Sequence, residues 1–174
     1  FVNTTGNTDT TAFGASADFT LRPNPWLYEE KLQFVRNETD DVVDAQALTQ
    51  RFRVGRVLTP RLTVFGEHNY LRDVLAGTEH RNVINGGVTF ALIKTALQTL
   101  DLDGSIGYAK ELRVVGADIS TGVVIGGTKY RLKLTANAEL ADDFAIQESF
   151  YDSSDYRINH FIGLTAKISS VFAL

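Results

Sequence analysis

An alternation of apolar and polar residues along nearly the whole chain is the feature that most constrains its fold. The odd-numbered residues from Thr11 to Leu21 are mostly apolar, and the even-numbered residues from Ala12 to Arg22 are mostly small or polar. Successive side chains of a strand point to opposite sides, so this segment separates an apolar face from a polar one. The pattern recurs at least eight more times, over segments longer than the roughly five or six residues of an ordinary globular strand. Long, two-faced, serially repeated strands are typical of a transmembrane β-barrel.

Composition excludes several classes of protein. The 174 residues fit one domain, and we expect residues 1–174 to form a single β-barrel domain. The net charge is -4, with 17 basic residues spread among 21 acidic ones and no basic run, so we expect no nucleic-acid partner. Since the chain contains no cysteine, it has neither disulfides nor thiolate metal sites. No run of eighteen apolar residues occurs, so we expect no transmembrane helix.

The alternation divides the chain into nine predicted strands and two terminal stubs. The strands are predicted at residues 8–22, 26–38, 43–58, 61–75, 79–94, 98–113, 119–134, 143–152 and 155–168, and the stubs at 1–5 and 171–174. The breaks between them are short and rich in turn residues, as consecutive hairpins require. Residues 92–100 and 140–145 also fit helical spacing, so a short helix is the alternative in each of these two places.

The alternation alone does not distinguish a membrane barrel from a soluble one. A soluble barrel places its apolar residues inside, whereas a membrane barrel places them outside and its charged residues within. The length of the strands and the density of charge on the second face favour the membrane barrel. We therefore expect an all-β, antiparallel transmembrane β-barrel.

Several short motifs resemble those of a known family. Residues 5–10 read Thr-Gly-Asn-Thr-Asp-Thr before an alternating strand, and residues 69–73 read Asn-Tyr-Leu-Arg-Asp, followed by Gly77 and Arg81. Residues 107–111 (Gly-Tyr-Ala-Lys-Glu) and 155–157 (Asp-Tyr-Arg) are similar too. Over nearly its whole length, the chain resembles the salt-induced outer-membrane protein family (domain of unknown function 481). The resemblance implies an outer-membrane barrel in a bacterium, with outer-membrane lipid around it and no established activity.

The ends of the chain bear on the number of strands. The chain begins at Phe1 without Met and stops inside the second stub, so we expect a fragment that lacks parts of the first and last strands. Members of the family usually carry a signal peptide and a final strand that ends in an aromatic residue, which this chain lacks. With a missing last strand the count becomes about 12, an even number as in bacterial barrels, and both termini are then periplasmic.

Charged residues recur on the polar face and are the candidate lining of the lumen. These candidates are Arg51, Arg53, Glu67, Asp101, Asp103, Lys129, Arg131 and Lys133. Charges of both signs on neighbouring strands form either a network that fills the lumen or a lining that selects ions by their sign. The sequence favours the network, and a conducting pore is the alternative.

Aromatic residues cluster near the predicted strand ends. They are Trp26, Tyr28, Tyr70, Tyr108 and Tyr156. Amphipathic rings settle at the membrane interfaces, so we expect these five to form the two aromatic girdles, with ordinary cross-strand pairing as the alternative. Four polar residues interrupt the apolar face: Glu30, Arg56, His68 and Glu148.

The sequence gives little support to catalysis or metal binding. The acid–histidine neighbours Glu67-His68 and Glu79-His80 point to opposite faces of a strand, so neither pair acts directly as a dyad. His160, near Ser153 and Asp155, is the remaining hydrolase candidate, and no nucleophile or phosphate-loop motif accompanies it. We expect no enzyme, no cofactor and no metal site.

The leading functional hypothesis is a structural or envelope-adaptation barrel with a lumen filled by charged side chains. The alternatives are a narrow channel for ions or small solutes, and a docking subunit that binds a membrane-protein partner.

Overall fold

The computed structural model describes residues 2–4, 9–152 and 154–166, with only the backbone described for residues 2–4. These residues form one antiparallel sheet of ten strands, each hydrogen-bonded to its neighbours in the sequence. The strands are β1 (Val2–Thr4), β2 (Thr10–Leu21), β3 (Trp26–Thr39), β4 (Val42–Thr59), β5 (Leu62–Asp73), β6 (Thr78–Lys94), β7 (Gln98–Arg113), β8 (Ile119–Lys133), β9 (Ala138–Ser149) and β10 (Tyr156–Ala166). The described part of the chain contains no helix that is long and apolar enough to cross a membrane.

The hairpin turns follow from their residues. Between β3 and β4 the two-residue loop Asp40-Asp41 has φ angles of 49° and 62°, which are typical of a tight hairpin turn and are tolerated best by Gly, Asn and Asp. Two longer turns each contain a glycine at positive φ, Gly77 at 87° and Gly116 at 96°. The predicted series of consecutive hairpins is confirmed over the described residues.

The described residues pack as two compact units. Unit 1 comprises Phe1–Arg56, Gly66–Asn85 and Tyr108–Thr121, and unit 2 comprises Val57–Phe65, Gly86–Gly107 and Gly122–Leu174. Strands β4 to β8 contribute residues to both units because the boundary falls within each of them.

Burial alternates along the strands in the reverse of the order seen in a water-soluble sheet. In unit 1, Arg53, Arg81 and Glu111 are buried, whereas Ile84 is 66% exposed. In unit 2, the buried residues Ser105 and Ser149 are polar, although Val123 and Phe65 are buried with them. We call the strand face that contains the charged and buried residues the polar face, and the face with exposed Leu, Ile, Val and Phe the apolar face.

Strand β9 is the main correction to the predicted strands. Its predicted span, 143–152, is wrong because the strand is Ala138–Ser149 and residues 150 and 151 form a bend. Asp143, the first residue of the predicted strand, lies in the middle of the observed strand, opposite Lys129, and pairs with Arg131 on β8. The alternative helices are also wrong, since residues 140–145 lie in β9 and residues 92–94 and 98–100 lie in β6 and β7. The stub predicted at 171–174 lies outside the described residues.

A β-bulge interrupts the pairing of β3 with β4. Asn37 lies opposite Ala45 and Glu38 lies opposite Val43, so Asp44 is the extra residue. A bulge shifts the alternation of its strand by one position. Val43 consequently lies on the same face as Glu38, whereas a strand without the bulge would place Val43 on the opposite face.

Candidate functional site

The polar face of unit 1 contains a four-charge cluster in which two arginines share one carboxylate. The Arg51 and Arg53 side chains on β4 donate from Nε to Glu67 Oε2 on β5, at 2.8 and 2.5 Å. Arg51 also donates from Nη2 to Glu29 on β3, at 3.2 Å, and Asn69 donates to the second oxygen of Glu67 at 2.8 Å. We call Glu29, Arg51, Arg53 and Glu67 the Glu67 cluster; it has two positive and two negative charges. Three predicted lining candidates, Arg51, Arg53 and Glu67, thus meet in one site.

A second buried ion pair in unit 1 was missed by the sequence analysis. Arg81 on β6 donates from Nη1 to Glu111 Oε2 on β7 at 2.5 Å, and their side chains are only 8% and 4% exposed. Arg113 binds the other oxygen of Glu111 at 3.2 Å. The alternation could have indicated this pair. Arg81 lies four residues from Asn85 in β6, and Glu111 lies six residues from Ser105 in β7, so each shares the polar face of its strand.

The polar face of unit 2 carries two further ion pairs. Lys129 Nζ on β8 lies 3.2 Å from Asp103 on β7, and Thr89 on β6 donates to the other oxygen of Asp103. Arg131 on β8 forms a bidentate pair with Asp143 on β9, at 2.5 and 3.0 Å. A bidentate arginine–carboxylate pair fixes orientation as well as charge. Both pairs join neighbouring strands.

The other two lining candidates lie near these pairs along the strands. Asp101 is two residues before Asp103 in β7 and therefore shares its face. Lys133 is the last residue of β8 and is exposed.

Asn85 is a buried polar residue of unit 1 with unsatisfied hydrogen-bonding groups. It is only 5% exposed, and neither its amide nitrogen nor its amide oxygen has a partner among the described residues. A buried amide that is left unpaired is costly, so such a group ordinarily binds water or a ligand.

The five interface aromatics lie on strands, each partly or largely exposed. Trp26 and Tyr28 stack with their ring centroids 6.5 Å apart, and the Arg56 guanidinium lies 5.7 Å from the Trp26 ring. The Tyr70 hydroxyl is hydrogen-bonded to His80 Nδ1 at 2.8 Å. Tyr108 and Tyr156 are exposed. Their role as membrane girdles stays a prediction.

Two of the four polar residues of the apolar face, Glu30 and His68, form hydrogen bonds with polar neighbours. Glu30 lies opposite the exposed Phe52 and accepts a hydrogen bond from Gln50 at 2.7 Å. His68 Nε2 and Asn82 Oδ1 are 3.1 Å apart. These pairings reduce the cost of placing polar groups on this face.

The hydrolase candidate His160 has a different acidic partner from the one that the sequence suggested. It lies within β10, 3.1 Å from Asp142 on β9, while Asp155 lies in the turn before β10 and Ser153 is outside the described residues. In the same turn, Ser154 donates to Asp152 from its nitrogen and hydroxyl, at 2.9 and 2.7 Å, which lowers the pKa of that carboxyl. Within the described residues, no group of three or more His, Asp or Glu side chains is arranged to hold a metal ion.

A comparison with protein families matches the whole chain. The family model described as "Protein of unknown function, DUF481" matches residues 1–174. No curated protein matches the sequence.

Proposed function

Because this chain belongs to the DUF481 family, whose function is unknown, we propose a role from its own residues: an outer-membrane β-barrel of about twelve strands. Its function is structural or adaptive for the bacterial envelope, and charged side chains fill its lumen. The family supplies no activity from which a role is inherited.

The observation that carries this proposal is the reversed burial of charged and apolar side chains. The guanidinium groups of Arg53 and Arg81 are buried, whereas the mid-strand residues Ile84 and Ile106 are 66% and 65% exposed. A water-soluble sheet gains stability by removing such isoleucines from water, at about 25 cal/mol per Å² of apolar surface. Surrounding lipid gives the exposed face an apolar environment and explains why the charges lie on the other face.

The pairing of the buried charges supports a filled lumen. The Glu67 cluster is balanced, with two arginines and two glutamates, and Arg81 pairs with Glu111. An open selectivity ring presents one sign of charge to passing ions. Paired charges offer ions little net attraction, and their side chains occupy the space between strands.

Single-channel recording tests the filled lumen. The full-length protein is refolded into a planar bilayer after heat-dependent gel mobility has established folding. We expect no discrete current steps from the unmodified protein and new steps from the double variant Arg53→Ser/Glu67→Ser, which removes two large side chains of opposite charge. Regular steps from the unmodified protein, with the double variant unchanged, contradict a filled lumen.

A narrow ion channel is the second candidate, and Asn85 favours it. A buried amide without partners is expected to bind water, and water along the polar face is what a conducting path needs. In that case Arg51→Glu shifts the reversal potential in a salt gradient toward cation selectivity. Lys110→Glu, at an exposed position that alternates with the buried Ala109 and Glu111, is the matched control and leaves the reversal potential unchanged.

Docking to a membrane protein is the third candidate, favoured by the polar groups on the apolar face. Glu30 and Gln50 form a hydrogen-bonded pair there, next to the exposed Phe52. A docking role predicts that a fixed partner co-purifies with the protein and is lost in Glu30→Leu. Retention of the partner in this variant counts against that surface.

A further inference from the structure

A cavity of about 310 Å³ lies on the apolar face of unit 1, outside the ion-pair clusters. Its apolar walls are Phe34, Val43, Leu48, Val74 and Leu75. Ligand cavities usually measure roughly 300–1,000 Å³, so this cavity has room for a small molecule or one segment of a chain. We call it the β3–β5 groove, because strands β3, β4 and β5 and the turn after β5 contribute its lining.

The register of β3 and β4 and its bulge build the groove. Phe34 lies directly opposite Leu48, and Arg36 lies opposite Gln46, which also lines the groove. Residues directly opposite each other share a face of the sheet. The bulge at Asp44 then re-aims Val43 to this face, opposite Glu38. The groove is thus lined by a side chain that a regular strand would direct elsewhere.

The groove combines apolar walls with one positive charge. Arg72, at the end of β5, is exposed and lines the groove. Among the described residues it forms no hydrogen bond or ion pair with another side chain. The neighbouring Arg36, by contrast, is neutralised by Glu38 at 2.8 Å. An apolar groove with an uncompensated guanidinium at its edge complements an amphiphile with a negative headgroup.

We propose that the β3–β5 groove binds an acyl chain of an anionic membrane lipid whose headgroup phosphate contacts the Arg72 guanidinium. This inference rests on the proposed membrane location, because only a barrel in a bilayer presents its apolar face to lipid. Arginine binds phosphate through two parallel N–H donors, which suits the headgroup of a phospholipid.

Quenching by brominated lipids tests the proposal. Trp26 is the single tryptophan, so Trp26→Phe with Leu75→Trp leaves one indole at the edge of the groove. The protein is refolded into phosphatidylcholine vesicles that contain equal fractions of either brominated phosphatidylglycerol or brominated phosphatidylcholine. We expect quenching to report a binding about fivefold tighter for the anionic lipid than for the zwitterionic one, the effect of one arginine near an anionic headgroup.

Two pairs of variants separate the groove from general attraction to the membrane. Arg72→Gln abolishes the preference for the anionic lipid, whereas Arg61→Gln, at an exposed turn residue, leaves it intact. Val43→Phe fills the groove and reduces quenching by both lipids, whereas Val42→Phe, at the exposed neighbouring position, has no such effect.

The outcomes distinguish this inference from the proposed function. Equal quenching by the two lipids in a protein with heat-dependent gel mobility overturns the groove and leaves the barrel. A preference that survives both Arg72→Gln and Val43→Phe overturns it as well. A protein that shows no insertion into vesicles at all overturns the membrane location and, with it, lipid binding in the groove.

Discussion

Arg81 and Glu111 hold opposite charges in a place that water scarcely reaches, with side chains 8% and 4% exposed. We expect Glu111→Leu to lower the free energy of unfolding by about 3–5 kcal/mol, because the buried Arg81 loses its counter-charge. The double variant Arg81→Leu/Glu111→Leu recovers most of this loss, because it leaves no uncompensated charge buried; Arg113, which also contacts Glu111, is 40% exposed. Urea titration of the refolded protein measures both.

The exposed pair Arg36–Glu38 provides the control for this prediction. Its side chains are 44% and 30% exposed, with a separation of 2.8 Å that is similar to that of the buried pair. Solvent screening limits such pairs to about 0–1 kcal/mol, so Glu38→Leu has a small effect. Equal losses from Glu38→Leu and Glu111→Leu would show that burial does not strengthen the Arg81–Glu111 interaction.

At the scale of single residues, the sequence predicts which face a side chain occupies better than which partner it binds. Period-two alternation assigned Arg51, Arg53 and Glu67 to the polar face, and the structure brings all three together. The partners depend on the register between strands, which a single sequence does not contain. The sequence therefore did not predict that Asp143, at the start of a predicted strand, is the partner of Arg131.

Among the elements, the β3–β4 hairpin offers a clear test of turn geometry. Asp40 accepts a hydrogen bond from the Asp9 nitrogen at 2.9 Å, whereas Asp41, at a φ of 62°, has no such side-chain contact among the described residues. We expect Asp41→Gly to raise the free energy of unfolding by about 0.5–1 kcal/mol, because glycine adopts positive φ without steric cost. Asp41→Val should lower it by about 1–2 kcal/mol, since a β-branched residue is strained there. The same urea titration measures both variants, and an Asp41→Val variant that is more stable than the unmodified protein would refute the role of positive φ at this position.

The predicted bounds of the strands succeed where apolar and polar residues alternate regularly and fail where charged residues lie on both faces near the start of a strand. Strand β7 spans Gln98–Arg113, as predicted, because its apolar residues alternate regularly along its whole length. Strand β9 begins five residues earlier than predicted, since acidic residues near its start pair with β8 and β10. The bulge at Asp44 was not predicted either. One extra residue in the strand moves Val43 to the other face, and the residue types around it do not indicate this shift.

For the molecule as a whole, the alternation predicted two chemically different faces but not which of them is buried. Hydrophobic residues alone are equally consistent with a soluble barrel that encloses them and a membrane barrel that exposes them. In the described residues, charged side chains such as Arg53 and Glu111 are buried, and large apolar side chains such as Ile84 are exposed. This distribution is what makes the membrane location testable by substitution on the exposed face.

Ile106, near the middle of β7 and 65% exposed, is the best position for that test. If it faces hydrocarbon, Ile106→Lys lowers the free energy of unfolding of the vesicle-bound protein by about 2–4 kcal/mol, the cost of a lysine at the bilayer midplane. An exposed isoleucine in water has no such constraint, and its replacement changes stability within about 0.5 kcal/mol. Val115→Lys, at an 84% exposed position in a turn, is the matched control and is nearly neutral in either environment. Equal small effects at both positions would place the apolar face in water and would require another explanation for its exposed isoleucines.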